Sequence, residues 1–301
     1  MRITRRDMLE LTALGSASLM VSGRSLFAAG PPTIGVQLYT VRRQMGTDAA
    51  GTLKAIADIG YKEVELLRAT MDTVGPLARK VGLSPVSVHV DASIITGTHP
   101  APQGGAATEP QPDLAAVIRS AKALGTKYLV LPYLAPGERG SGAAFYIELG
   151  DKLNRAGEQI KNAGMQLCYH NHGFEFETLP DGKRMLDLLM SSVKPELVKL
   201  ELDVFWVSVA GADPLALLNQ YKGRIALLHL KDKAKGTPVE TQESKVSRTA
   251  FAEVGSGVLD FPAILKAAGA AGVEHYFVEQ DETPGDPIAS LRKSFEYLRT
   301  V

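Results

Sequence analysis

The sequence predicts a (β/α)₈ barrel, on three observations. Apolar runs of strand length alternate eight times with helical stretches after residue 30. Many of the helical stretches stop at a glycine just before the next run. Several runs finish on a histidine or a carboxylate. Near-continuous apolar runs are the mark of parallel strands buried on both faces. Eight such units are the number that closes a barrel. A doubly wound sheet uses similar units. Against it, no glycine-rich phosphate fingerprint follows the first run, and polar strand ends recur around the whole series.

In chain order, strands are expected at 33–40, 61–67, 84–91, 127–133, 166–172, 199–206, 225–231 and 275–281. The helices between and after them are expected at 47–59, 71–82, 112–124, 141–163, 183–193, 213–222, 260–271 and 286–299. Gly60, Gly82, Gly125, Gly164 and Gly272 each precede a strand, where a helix-terminating glycine belongs. Asp213-Pro214 and Asp286-Pro287 read as an N-cap followed by proline at the first helical position. Two longer loops, 92–111 and 232–252, leave strand C-terminal ends and so belong to the face where barrel enzymes work.

Residues 1–30 have a different character. Arg5-Arg6 precede a weakly apolar run from Leu11 to Val21 and the small residues Ala28-Ala29-Gly30. This order resembles a twin-arginine export signal and implies a periplasmic protein without a stable membrane anchor after the signal is removed. Residues 31–301 then form one domain, long enough for a full core. Lys+Arg and Asp+Glu are equal at 33, which gives no support to a nucleic-acid or anionic-membrane partner. The one cysteine, Cys168, lies inside an expected strand and reads as a small buried hydrophobe. Homo-oligomer formation is left open.

Alternation along a strand gives each run a polar pair on one side: His170 with His172, Glu201 with Asp203, His229 with Lys231, Glu279 with Asp281. Burying so many ionisable groups is costly unless they meet a common partner, and a metal ion is the economical one. On strand two, Glu63 and Glu65 share a face, so one is expected at the barrel mouth and the other nearer the core with a partner such as Lys199 or Lys62.

The segments His170-Asn171-His172-Gly173-Phe174-Glu175-Phe176, Glu201-Leu202-Asp203, His229-Leu230-Lys231-Asp232, Val254-Gly255-Ser256-Gly257 and Val278-Glu279-Gln280-Asp281 resemble the sugar phosphate isomerase/epimerase family, the xylose isomerase-like barrels. The resemblance covers the chain after residue 30. It implies one divalent ion held by Glu, Asp, His and Glu from strands five to eight. Asp203, His229 and Glu279 match the last three. The first position holds His170, with Glu175 just beyond as the competing ligand. Two histidines and two carboxylates suit Mn, Zn, Co or Fe better than Ca.

The resemblance further implies proton abstraction next to a carbonyl, with Glu279, Glu175, His170 and Lys231 as catalytic candidates. His89, His172, Trp206 and Tyr39 are candidate contacts to a small carbohydrate. Reprotonation gives isomerisation or epimerisation; loss of a β-substituent makes the enzyme a lyase. Departure from the two-glutamate pattern also admits a metal-bearing sugar-binding protein without turnover. DNA cleavage, as in related three-metal barrels, lacks both the ligands and the basic face.

Overall fold

The computed structural model describes residues 32–98, 112–140, 142–180 and 182–301. The twin-arginine segment, His99 and much of the 92–111 loop lie outside the described residues. Strands β1 (Ile34–Gln37), β2 (Glu63–Leu67), β3 (Ser84–His89), β4 (Tyr128–Leu131), β5 (Gln166–His170), β6 (Val198–Asp203) and β7 (Ile225–Leu230) are followed by a short pair, β8 (Asp232–Lys233) and β9 (Phe251–Ala252), and then by β10 (His275–Val278). All strands but the short pair are parallel and close into a barrel in the order β1, β10, β7, β6, β5, β4, β3, β2. The expected (β/α)₈ architecture is therefore present.

Each of the eight expected helices is found, at Ala49–Ile59, Met71–Lys80, Leu114–Ala123, Ala143–Asn162, Met185–Ser192, Pro214–Gln220, Phe261–Ala271 and Pro287–Leu298. Gly60, Gly82, Gly125, Gly164 and Gly272 all have positive φ, the left-handed geometry that lets the chain leave a helix. Asp213 and Asp286 accept from the N–H of Leu215 and Ile288, as their N-cap role requires.

All eight barrel strands are shorter than the expected spans, and two of them stop for an evident local reason. β1 stops at Gln37, whose Oε1 accepts the Tyr39 N–H at 2.9 Å and turns the chain into a 3₁₀ segment, Leu38–Val41. β6 stops at Asp203, whose Oδ1 accepts the Trp206 N–H at 2.9 Å and caps the helix Val204–Val209. Trp206 thus sits on a helix, not on a strand. Val204-Phe205-Trp206-Val207 is apolar all round because this helix is buried, which is why its sequence reads as strand.

Two positions before His170, His229 and Glu279, on the same face, lies an apolar layer. Val86, Tyr128, Val130, Cys168, Ala226, Leu227 and Phe277 form one buried cluster. Cys168, Leu227 and Phe277 precede His170, His229 and Glu279 by two positions, so the barrel is filled with apolar side chains below and ionisable ones above.

Asp232 accounts for the Val-Gly-Ser-Gly segment. Its carboxylate accepts the N–H groups of Gly255 (3.0 Å), Gly257 (2.8 Å), Leu259 (3.2 Å) and Lys233 (2.8 Å). A Cβ on Gly257 would lie 2.4 Å from Asp232 Oδ1, so only glycine allows this approach. Asp232→Ala leaves several N–H groups without an acceptor, at about 1–3 kcal/mol for each that stays dry. Urea unfolding is expected to show a loss of at least about 3 kcal/mol; a loss under about 1 kcal/mol would contradict this anchoring role.

Candidate active site

Strand register brings the polar residues together. Gln37 pairs with Glu65, His170 with Glu201, and Asp203 with His229 across neighbouring strands. Asn171, between the two histidines, clamps β5 to β6: its Oδ1 accepts the Asp203 N–H at 3.0 Å. Beyond the ladder, the chain ends of β5, β7 and β10 carry His172, Lys231, Glu279 and Asp281 to the mouth.

The result is a two-level cluster. In the upper level, His170, Asp203, His229 and Glu279 each present a ligand atom, all within 4.8 Å of one another. His229 Nδ1 lies 2.9 Å from Glu279 Oε2, and His170 Nε2 lies 3.8 Å from Asp203 Oδ2. Lys231 Nζ sits beside them, 3.1 Å from Asp203 Oδ2, 2.8 Å from Glu279 Oε2 and 2.8 Å from Asp281 Oδ1. In the lower level, Glu65 Oε2 contacts His229 Nε2 at 2.7 Å and His89 Nε2 at 3.0 Å. Glu201 Oε2 lies 3.0 Å from His89 Nε2 and 3.2 Å from His170 Nδ1. Glu65 thus faces the cluster, while Glu63 bonds His275 at 2.9 Å nearer the strand starts.

The upper four residues fit a divalent ion. They are buried, they offer two imidazoles and two carboxylates, and Asp203 Oδ2, shielded from solvent, has the Lys231 ammonium beside it but makes no well-aligned hydrogen bond.

The electrostatics divide the histidines. Burial would lower His229, but the Glu201 and Glu279 carboxylates outweigh it and raise its pKa well above the ordinary value. His89 behaves alike: burial opposes, Glu65 and Glu201 prevail, and it reaches about 9. Burial lowers His172, reinforced by the Lys231 charge, so this ring is neutral at pH 7. Burial raises Asp281 to about 6 against the pull of Lys231.

Above the cluster opens a cavity of about 600 Å³. Tyr39, His89, His170, His172, Trp206, Lys231, Glu279 and Asp281 all line it, so the candidate substrate contacts face one space. His172 packs edge-on against Tyr133 and tilted against Trp206, with ring centroids at 4.8 and 5.2 Å. His89 uses both nitrogens inside the protein, Nδ1 with Gln37 and Nε2 with the two glutamates, and presents only part of its ring.

Glu175 stands apart. It is fully buried, accepts the Tyr169 hydroxyl at 2.7 Å and the His172 N–H at 2.9 Å, and does not join the four converging ligand atoms. Tyr169 has the opposite parity to His170, which turns Glu175 away from the barrel axis.

Sequence reasoning did not single out Gln37 or the arginines of the rim. Arg42, Arg68 and Arg248 come to the cavity from distant segments, and each is paired with an acid: Arg42 and Arg248 with Glu282, Arg68 with Asp91. The 232–252 loop does reach the active face, supplying Glu243, Val246, Arg248 and Phe251 to the cavity wall.

A barrel with ionisable side chains converging at the C-terminal ends of its strands has the layout of a barrel enzyme's active face. Residues 53–301 match the xylose isomerase-like TIM barrel family, and the chain belongs to that family. It is 33% identical over 159 residues to an inosose dehydratase of Geobacillus thermodenitrificans, covering 50% of this chain and 52% of that one. The chain thus spans about half the length of the curated relatives it matches. A sugar phosphate isomerase/epimerase from Parabacteroides distasonis has a similar structure, with TM-score 0.70 and 25% identity over 88% of this chain and 96% of that one. The zinc-bound structure of the IOLI protein, 15% identical with TM-score 0.64 over 89% of this chain and 98% of that one, shares the fold.

Burial raises the Glu175 carboxyl from 4.5 to about 8. The folded state therefore holds a proton that the unfolded chain releases above about 4.5. That stabilisation is complete below the unfolded value and is lost as pH rises through about 8. Glu175→Gln is expected to flatten the decline in unfolding free energy between pH 5 and 8. An unchanged slope in urea titrations across that window would contradict the assignment.

Proposed function

We propose that this protein is a metal-assisted lyase that dehydrates an unphosphorylated keto-sugar or keto-polyol. The observation that carries the reading is the His170, Asp203, His229 and Glu279 group lying against one cavity whose lining includes His170, Glu279, Lys231 and neutral His172. When bound, a divalent ion held by those four residues would supply Lewis acidity toward carbonyl and hydroxyl oxygens.

The chain's own residues then divide the work. Tyr39, Trp206 and Phe251 wall the sugar, while the buried Lys231 ammonium donates to the oxygen on which charge develops. His172, neutral and in the cavity, takes the proton from the carbon next to the carbonyl. Asp281, raised by burial to about 6 at the mouth, returns a proton to the departing β-hydroxyl, which leaves as water. One C–H and one C–O bond break, a C=C bond forms, and no oxidant is required. Burial keeps His172 unprotonated and lifts Asp281 above the usual carboxylate range, which suits the first to accept a proton and the second to carry one.

Elimination is favoured over reprotonation because the position of the family's first glutamate is His170, and Glu175 is occupied with Tyr169 and the His172 N–H. The similarity to inosose dehydratases, whose named substrate is a cyclic keto-polyol, supports the same choice. The similarity to an isomerase/epimerase over most of the chain supports a second reading, in which the same enolate is reprotonated. The rim arginines are paired with acids, Arg68 with Asp91 and Arg42 and Arg248 with the shared Glu282, which leaves at most one guanidinium charge uncompensated among them for a phosphate. The twin-arginine-like segment supports periplasmic export, where unphosphorylated sugars are the available pool.

Keto-polyols and 3-keto-glycosides incubated in D₂O are expected to exchange the proton next to the carbonyl and to lose water. His172→Gln should slow both by about 10²-fold or more. Asp281→Asn should retain exchange while dehydration falls by at least about tenfold. Exchange without dehydration would favour the epimerase reading, and neither process on any such substrate would favour a binding protein.

A further inference from the structure

The rings of His229 and His170 each face two ways, one nitrogen toward the upper group and the other toward Glu65 or Glu201. For His229 both contacts are short, 2.9 Å from Nδ1 to Glu279 and 2.7 Å from Nε2 to Glu65. Which nitrogen keeps a proton decides which one can bind an ion, because a neutral imidazole has one donor and one acceptor.

We propose that Gln37 and Glu65 are positioning residues that hold the proton of His229 on Nε2, so that Nδ1 is the metal ligand. The inference rests on the metal reading above and extends it to residues outside the ligand set. The chain of bonds begins at the backbone. The Tyr39 N–H donates to Gln37 Oε1 at 2.9 Å, and a backbone N–H has no other role, so the orientation of the Gln37 amide is fixed. Its Nε2 must then face inward, where it donates to Glu65 Oε2 at 2.9 Å and lies 3.1 Å from His89 Nδ1. His89 Nδ1 is therefore the acceptor, and His89 Nε2 carries the proton that meets Glu65 and Glu201. Glu65 Oε2 collects donors from Gln37, His89 and His229, which only an ionised carboxylate accommodates. The His229 Nε2 proton is thereby held below, and Nδ1 is turned to Asp203 and Glu279.

The lower group of His89, His170, Glu201 and His229 has the donor types of a second ion site. It shares two rings with the upper group, however, and ions above and below would strip both nitrogens of each shared ring. A ring held by a carboxylate on its far side is the usual way a metal-bound histidine is oriented, and loss of that partner typically costs about 10–100-fold in metal affinity.

Zinc titration and long-range ¹H–¹⁵N correlation of zinc-loaded, ¹⁵N-histidine-labelled protein test this directly, with His229 assigned through its contact to Phe277. The expected spectrum has His229 bound through Nδ1 with a proton on Nε2. The Glu65→Gln variant, whose amide can donate to Nε2, should bind the same single equivalent of zinc about 10–100-fold more weakly. Gln37→Leu should weaken zinc in the same direction. Ligation through Nε2, or wild-type zinc affinity in folded Glu65→Gln, would overturn the proposal while leaving the metal reading intact. Two equivalents in the wild type, with one lost in Glu201→Gln, would overturn it in favour of a second ion site. Failure of the wild type to bind zinc or Mn²⁺ would remove the metal reading and this inference together.

Discussion

The structure depends on one arrangement, the packing of four carboxylates against three histidines and a lysine in the upper half of a closed barrel. Glu65, Glu201, Asp203 and Glu279 are almost wholly removed from solvent, as are His170, His229 and Lys231. Desolvating an isolated ion costs several kcal/mol even after relaxation, and that cost is offset only where opposite charges and hydrogen bonds meet it with good geometry. Here strand register provides the geometry. Gln37 beside Glu65, His170 beside Glu201 and Asp203 beside His229 are neighbours because the ladders pair them. The apolar layer beneath, around Cys168, Leu227 and Phe277, keeps water from entering below. A group assembled in this way is rigid before any ligand arrives, which is what a site that must stabilise a developing oxyanion needs.

Much of this was legible in the sequence, for identifiable reasons. Buried parallel strands leave continuous apolar runs, and the polar residue that ends such a run is most conspicuous where nothing polar precedes it. His229 after Ile225-Ala226-Leu227-Leu228 is the clearest case. Parity then placed His170, His229 and Glu279 on the axis side, and the upper group of four has the composition expected. Helix ends were readable because Gly60, Gly125 and Gly272 each occupy a conformation that other residues resist.

What was not legible has equally physical causes. Trp206 sits on a helix because the Asp203 side chain caps it, and a fully buried helix has no polar face to betray its period. Gln37 looked like an ordinary strand residue; its part in the cluster comes from register with β2 and from the bond to Tyr39 N–H. The rim arginines come from segments far apart in sequence, so no local motif marks them. Glu175 lies close to His170 in sequence yet is drawn to Tyr169 by parity. Alternation is visible in a sequence; what a turn does after the strand ends is not.

The cavity converts this arrangement into chemistry. Its floor is cationic at Lys231 and rich in ligand atoms, its walls are aromatic, and a neutral His172 stands in the wall beside Trp206. The account stands or falls on whether the upper group holds an ion. Elemental analysis of protein purified without added metal or chelator addresses this most directly. The account predicts about one equivalent of Mn, Zn, Co or Fe in the wild type and its loss in Asp203→Ala. Metal-free protein that takes up none on titration, or a full equivalent retained by Asp203→Ala, would contradict it.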